Sequence, residues 1–242
     1  MKNSIEVINL SKSYKTKKAV NNISFKIDEN EIVGLLGPNG CGKTTTIGMI
    51  LGLLKPTSGQ VLINGKNIEN NKISILHKMN FISPYIELPK KLTVKQNLIV
   101  YGKLYNIKNL NERINFLSEK LRLGDLLDKI TGELSSGQKN RVSLAKALIN
   151  DPTVLLLDEP TAALDPETAD FVRTFLENYK EEKKISVLLA SHNMDEVKRL
   201  CNSVMMMKDG NIVDGGTPED LIEKYGQKNL EEVFLEIVRK DK

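Results

Sequence analysis

The sequence predicts an α/β protein with a parallel core sheet, and three observations carry that prediction. Segments 154–157 and 185–190 are continuously apolar, which is typical of strands buried on both faces. Pro166–Tyr179 lies between them and has helical spacing, so the order favours a right-handed crossover onto parallel strands. Residues 93–150 also have helical spacing, which predicts an inserted helical subdomain in which Thr93 caps one helix.

The N-terminal part predicts an antiparallel β subdomain beside that core. Ile5–Leu10 and Ile23–Ile27 alternate apolar and polar residues, as half-buried strands do. Gln60–Ile63 runs into Asn64-Gly65, a pair that favours a tight hairpin turn. A later hairpin is expected at 204–214, around Asp209-Gly210.

These segments predict one main domain over residues 1–218, with its helical subdomain at about 84–150. An amphipathic helical tail should follow at 219–242. With 40% hydrophobic and 27% charged residues, the 242-residue chain has the composition of an ordinary globular protein.

Composition argues against several functional classes. Aromatic residues make up 5% of the chain and Trp is absent, so base-stacking modules are not indicated, and the scattered net charge of +4 suggests a solvated surface. We therefore expect no nucleic-acid partner. The apolar runs are strand-sized, whereas crossing a bilayer takes about 20 apolar residues. Any membrane link should come through a partner.

A phosphate-binding loop is the strongest motif. Glu31–Leu36 predicts a buried strand that runs into Gly37–Thr44, which matches G-x-x-x-x-G-K-[ST], and a helix is expected from Lys43 to Leu54. Glycines let backbone N–H groups approach the phosphates, Lys43 would bridge the β- and γ-phosphates, and Thr44 would ligate Mg²⁺. The predicted ATP-binding residues of the loop are Gly37, Pro38, Asn39, Gly40, Cys41, Gly42, Lys43, Thr44 and Thr45.

Two acids end the apolar segment 154–157. Asp158 would hold Mg²⁺ through water, and Glu159 would act as general base on the attacking water. The alternative is a pair of exposed turn acids before Pro160. The phosphate loop favours the catalytic interpretation.

Leu134-Ser135-Ser136-Gly137-Gln138, followed by a basic helix beginning at Lys139, resembles the signature motif of ATP-binding cassette (ABC) ATPases. The resemblance covers nearly the whole chain in the right order and implies a P-loop NTPase fold with a RecA-like core. It also implies roles for three further residues: Tyr14 stacks on adenine, Asp165 belongs to the D-loop, and His192 is the switch histidine. Tyr14 as a packing residue and His192 as a turn residue are the alternatives.

The signature also has a physical interpretation. The Ser135 hydroxyl, the Gly137 backbone, Gln138 and the helix N-terminus would form a second anion site. The resemblance implies that this site binds the γ-phosphate held by a second cassette in a head-to-tail dimer. Ser135 as a helix N-cap is a simpler interpretation, and the two are compatible.

Three positions depart from the family pattern or stand out within it. No glutamine occurs between Gln60 and Gln96, so Ser83 or Pro84 takes the place of the family's Mg²⁺-sensing glutamine. Ser136 replaces a glycine, which is tolerable in helical backbone. Cys41 lies beside Lys43 and a helix N-terminus, which predicts a reactive thiolate.

The resemblance implies the ATPase subunit of a membrane transporter, peripheral on the cytoplasmic face of the cell membrane. Its partners would be an integral-membrane permease and a second ATPase subunit, identical or different. The tail around Phe234 and the missing glutamine favour an exporter. The alternatives are a soluble cassette acting on ribosomes or DNA, a non-cassette P-loop switch, and an inactive cassette that binds ATP structurally.

Overall fold

The computed structural model describes residues 3–15, 17–84 and 87–239 and divides the chain into two compact units. The first unit comprises Met1–Leu76 and Ser186–Lys242, and the second comprises His77–Ile185. Within the described ranges, no helix has both the length and the apolar character needed to cross a membrane.

Strands and helices follow one another in an order typical of α/β proteins. The strands are β1 (Asn3–Tyr14), β2 (Lys17–Asp28), β3 (Ile32–Leu36), β4 (Ser58–Ile63), β5 (Lys66–Asn67), β6 (Met79–Ile82), β7 (Val154–Asp158), β8 (Ser186–Ala190), β9 (Ser203–Lys208) and β10 (Asn211–Gly216). The helices are α1 (Lys43–Ile50), α2 (Ile68–Leu76), α3 (Val94–Leu104), α4 (Leu110–Lys120), α5 (Ser136–Leu148), α6 (Pro166–Lys183), α7 (Met194–Leu200), α8 (Pro218–Tyr225) and α9 (Leu230–Arg239).

The first unit contains the predicted antiparallel sheet, in the order β2-β1-β4-β5. Ile5 of β1 is paired with Ile27 on one side and with Ile63 on the other, and all three side chains are buried. Asn64 and Gly65 both have positive φ, 49° and 74°, as a type I′ hairpin turn requires. The predicted strands and turn are confirmed.

Parallel strands in the same unit bring two loops to one edge. β3 pairs in parallel with β8 and with β9, and every residue of β3 and β8 is buried. The chain leaves β3 at Leu36 and β8 at Ala190, so the loops that follow both strands begin at the same edge. The hairpin β9–β10 turns at Asp209-Gly210, as predicted.

The second unit combines a parallel strand pair with helices. β6 pairs with β7 in the register Met79 to Val154. Thr93 caps α3, since its side chain accepts from the Gln96 backbone N–H while the Gln96 side chain accepts from the Thr93 N–H. The α/β class with parallel strands, an antiparallel sheet and a helical insertion is therefore confirmed.

Several element bounds differ from the prediction. α1 ends at Ile50, not Leu54, because Gly52 has φ +63° and the Leu54 N–H bonds back to Gly48 O. The tail is two helices, since Gly226 at φ +63° ends α8; Lys240–Lys242 lie outside the described residues. β6, α2 and α7 were not predicted.

Candidate functional site

The loop after β3 ends in an unusual helix start. Gly42 is the N-cap of α1 with φ +115°, and among the described residues no side chain caps this helix. Residues 43–46 are Lys and three Thr, so the first turn carries no acid. The N–H groups and positive dipole end of α1 are thus not engaged by a side-chain cap, which makes an anion site.

The loop glycines are required for reasons other than phosphate access alone. A Cβ at Gly37 would lie 2.2 Å from Met207 O, and one at Gly42 would lie 2.4 Å from Ala19 O. At Gly40, a Cβ would meet no described atom within 4 Å, but the backbone has φ +80°. Close contact with β9 and β2 therefore excludes a side chain at Gly37 and Gly42. At Gly40, the positive φ is the reason that glycine is favoured.

The Lys43 side chain folds over the loop. Its Nζ donates to Gly37 O at 2.5 Å and to Pro38 O at 3.2 Å. The ammonium group therefore lies against backbone carbonyls of the motif, within the loop. Thr44 and Asn39 are exposed and Thr45 is half-buried, so their polar side chains lie at or near the surface.

Cys41 corrects one sequence expectation. The side chain is 3% exposed, because the hairpin turn covers the loop and the Gly210 N–H donates to Cys41 O at 2.9 Å. Burial raises the pKa of the Cys41 thiol and outweighs the opposing effect of the Lys43 ammonium. The prediction of a reactive thiolate is wrong, because burial favours the neutral thiol. The sequence did not reveal that the turn at Gly210 covers Cys41.

Two further predicted residues lie in the first unit. Tyr14 ends β1 and is 47% exposed, with the Lys12 ammonium 5.2 Å from its ring centroid. A buried packing role for Tyr14 is therefore excluded. His192 is exposed and follows β8 by one residue, after the buried Ser191.

The paired acids lie in the second unit. Asp158 is the last residue of β7 and is 7% exposed, so it is not an exposed turn acid. Glu159 is half-buried and has φ +51°, a conformation that non-glycine residues seldom adopt outside functional sites and turns. It borders a cavity of about 270 Å³ that Ser83 and Asn140 also line. Ser83 is buried just beyond β6, while Pro84 is exposed.

The signature residues form the start of α5. Ser135 is the N-cap: its Oγ accepts from the Gln138 N–H at 3.3 Å, and Gln138 Oε1 accepts from the Ser135 N–H at 3.0 Å. The helix thus begins at Ser136, not at Lys139 as predicted, because the signature itself supplies the first turn. Ser135 and Ser136 are exposed, whereas a Cβ at the buried Gly137 would lie 3.0 Å from the Thr168 side chain.

Asp165 caps another helix in the same unit. Its Oδ1 accepts from the Thr168 backbone N–H at 2.9 Å at the start of α6. Hydrogen bonds from Thr168 lower the pKa of the Asp165 carboxyl. Ala163, two residues earlier, has φ +58°, so the chain turns sharply before the helix.

Sequence reasoning missed the residues that shape the phosphate loop from outside. Ala19, Met207 and Gly210 touch it or bond to it, and the Gly210 carbonyl also accepts from the Asn21 N–H at 2.8 Å. Met207 and Gly210 lie more than 160 residues along the chain from the loop, and no local pattern marks them. The Asp209-Gly210 turn signal was visible, but its contact with the loop was not.

Comparison with known proteins gives concordant results. The family described as "ABC transporter" matches residues 20–162 of this chain. The ABC transporter ATP-binding protein NatA of Bacillus subtilis is 34% identical over 224 residues, which cover 91% of each chain. A Nod factor export ATP-binding protein I of Burkholderia lata is 35% identical, covering 90% of this chain and 72% of the relative. The choline transport ATP-binding protein OpuBA of Bacillus subtilis is 34% identical, and the match covers 93% of this chain but 60% of that protein.

Solved structures agree with this result. The structure of an ATP-binding subunit of an ABC transporter superposes with a TM-score of 0.88 at 27% identity, covering 96% of this chain and 98% of the other. A dimeric ATP-binding cassette in a post-hydrolysis state, bound to ADP and Pi, superposes with a TM-score of 0.80 at 26% identity, covering 88% and 98%. With its phosphate loop, its acid-tipped strand and its capped signature helix, this chain belongs to the ABC transporter family as an ATP-binding subunit, and it is an ATPase.

Proposed function

We propose that this subunit powers export across a membrane by ATP-driven closure of two cassettes. The observation that carries the proposal is the start of α5, where an exposed Ser135 caps a helix whose first turn carries no acid. That arrangement suits a second phosphate-binding surface. One cassette would hold ATP on α1, and the Ser135 and Gly137 surface of the other would contact its γ-phosphate.

The loop residues Gly37–Thr45 bind the triphosphate in this proposal, and Tyr14 stacks on the adenine. The exposed Tyr14 ring and the α1 N-terminus without a side-chain cap support these roles among the described residues. Lys43 would exchange its contacts with Gly37 O and Pro38 O for phosphate oxygens. Gln138 stabilises the start of α5, and Asp165 fixes the start of α6.

Mg²⁺ fits the available oxygen ligands. Among the described residues, no group of three His, Cys, Asp or Glu side chains could hold a metal alone. Mg²⁺ bound to a nucleotide needs one or two protein ligands, since phosphates and water supply the others. The exposed Thr44 hydroxyl and the Asp158 carboxylate at the end of β7 are the proposed ligands. The metal would neutralise charge on the phosphates.

Glu159 is proposed as the general base, and His192 as the group that contacts the γ-phosphate or the water. The position of Glu159 at the border of the cavity that Ser83 and Asn140 also line supports its role, because a general base needs space beside it for the attacking water. The exposure of His192 leaves its ring accessible.

The exporter assignment rests on relatives and on the tail. One relative at 35% identity is an export ATP-binding protein, although choline and carnitine transport proteins match at 34%. The subunit would bind an integral-membrane permease and act at the cytoplasmic face. Pulling down the tagged full-length chain from membranes should recover a polytopic membrane protein. Recovery of ribosomes or DNA instead would support the soluble alternative.

Glu159→Gln tests the catalytic and dimer proposals together. The amide cannot accept the proton, so we expect turnover at least about 100-fold lower, and ATP with Mg²⁺ should trap a dimer detectable by light scattering. Glu167→Gln, at an exposed position in the first turn of α6, is the matched control and should behave as wild type. A Glu159→Gln protein that remains monomeric with ATP would contradict the dimer, and unchanged turnover would contradict the general base.

A further inference from the structure

Hydrogen bonds join the two neighbours of His192 in the chain to Glu196. Ser191 Oγ donates to Glu196 Oε2 at 2.7 Å and accepts from the Asn193 N–H at 3.1 Å. Asn193 Oδ1 in turn accepts from the Glu196 backbone N–H at 3.1 Å at the start of α7. The network thus joins the residues on both sides of His192 to the Glu196 side chain.

Burial makes the Glu196 carboxyl group unexpected in a purely structural helix. Glu196 and Ser191 are each 1% exposed, while Val197 and Leu200 supply the apolar packing of α7. A buried carboxyl group is costly unless it is hydrogen-bonded, and an apolar side chain would pack the same space at lower cost. The Ser191 bond therefore points to a task that packing does not require.

Packing beside His192 is also incomplete. A cavity of about 260 Å³ borders His192 on the side of α9, where Phe234 and Leu235 line it. The cavity leaves room beside the ring, so a change in the backbone at His192 would have space to move it. The hydrogen bonds at Ser191 and Asn193 hold the backbone on both sides of the ring.

We propose that Glu196 is a positioning residue that acts through Ser191 to fix the orientation of His192 for hydrolysis. Neither Glu196 nor Ser191 touches the nucleotide in this scheme. The kinetic part of the inference rests on the proposed role of His192, while the positioning itself does not.

The kinetic test uses full-length variants. Ser191→Ala and Glu196→Ala should each lower kcat by about five- to twentyfold and leave KM within about twofold, because misplacement affects the chemical step more than ATP binding. Glu196→Gln keeps an oxygen that accepts from Ser191, so it should recover most of the turnover. The double variant should be no slower than either single variant, since both break one network.

Histidine NMR tests the positioning directly. The chain has two histidines, His77 in the second unit and His192 in the first. In a ¹³Cε1-labelled protein, Ser191→Ala and Glu196→Ala should move or broaden the His192 resonance and leave the His77 resonance in place. His192→Gln assigns the two signals.

Ser203→Ala is the matched control. Ser203 Oγ donates to Glu31 Oε1 at 2.9 Å. This serine–glutamate pair is in the same unit but lies where β3 and β9 begin, whereas His192 follows the end of β8. It should change neither kcat nor the His192 resonance. An unmoved His192 resonance in Ser191→Ala and Glu196→Ala would overturn the positioning. A moved resonance, with normal turnover in His192→Ala, would support the positioning and refute the catalytic role of His192.

Discussion

The helices α1 and α5 both begin where a phosphate is proposed to bind, but their N-termini are built differently. Within the described structure, α1 starts at Gly42 without a side-chain cap, and α5 starts at Ser135 with a complete capping box. α1 therefore depends on its loop and on a ligand to complete its first turn. α5 is completed by its own residues. The comparison suggests that substitutions at α1 should affect ligand binding most, whereas substitutions at α5 should affect both stability and dimerisation.

The largest effect is expected at Gly42. In Gly42→Ala, the new Cβ would meet Ala19 O at 2.4 Å in a backbone with φ +115°, so the loop must move. We expect ATP affinity to fall at least about 100-fold, since the phosphate-binding N–H groups move with it. Binding of a fluorescent ATP analogue measures this change.

Gly40→Ala is the matched control for that variant. Its Cβ would meet no described atom within 4 Å, so it carries only the strain of φ +80°, about 1 kcal/mol. If Gly40→Ala lost as much ATP affinity as Gly42→Ala, the contact with Ala19 O would not explain the effect of Gly42→Ala.

Ser135→Asp should separate the cap of α5 from its proposed phosphate contact. Aspartate caps helices about as well as serine, so the melting temperature should stay within about 2 °C of wild type. The added charge would repel the γ-phosphate, and ATP-driven dimerisation should weaken at least about tenfold. Light scattering in a Glu159→Gln background would measure it.

Ser136→Gly provides the control at the next position. Ser136 is exposed, and its φ is not positive. Replacing it with glycine therefore relieves no backbone strain. Turnover should change less than about threefold. Equal weakening of dimerisation by the two variants would contradict the role of Ser135.

The smallest effect is expected at Asp165, which caps a third helix, α6. Its pKa is lowered in the folded protein by hydrogen bonds from Thr168, so its stabilising effect is present above the unfolded pKa and is lost as the pH falls through the folded pKa. Asp165→Ala should therefore be less stable than wild type at pH 7, and the difference should shrink as the pH drops below about 4. Urea unfolding at several pH values would show this, and a constant difference would contradict it.

Local patterns predicted the elements that carry strong motifs. Thr93 with Gln96, Asn64-Gly65 and the apolar strands β3, β7 and β8 follow from side-chain chemistry within a few residues. β6 was missed because its polar Asn80 is satisfied at long range, where its Nδ2 donates to Asn150 Oδ1 at 3.1 Å. No local signal reveals such a partner.

For the site residues too, features that depend on neighbours in sequence were predicted, and features that depend on long-range contacts were not. Motif spacing located the phosphate loop, the acids and the signature, because their chemistry depends on neighbours in sequence. The pKa of Cys41 could not be predicted, since the cover over it comes from the turn at Gly210. The Ser191–Glu196 bond also escaped notice, because burial of a glutamate is not visible in a single sequence.

The contacts of Gly37 with Met207 and of Gly42 with Ala19 have a consequence for protein engineering. The motif Gly37–Thr44 lists the residues of the loop, but at two of its glycines a side chain would collide with the backbone of another strand. Transplanting these eight residues onto another strand–helix pair would leave the loop without the backbone that restricts it. A working graft would have to include the hairpin β9–β10 and the segment of β2 around Ala19, so the smallest transferable phosphate site is discontinuous in sequence.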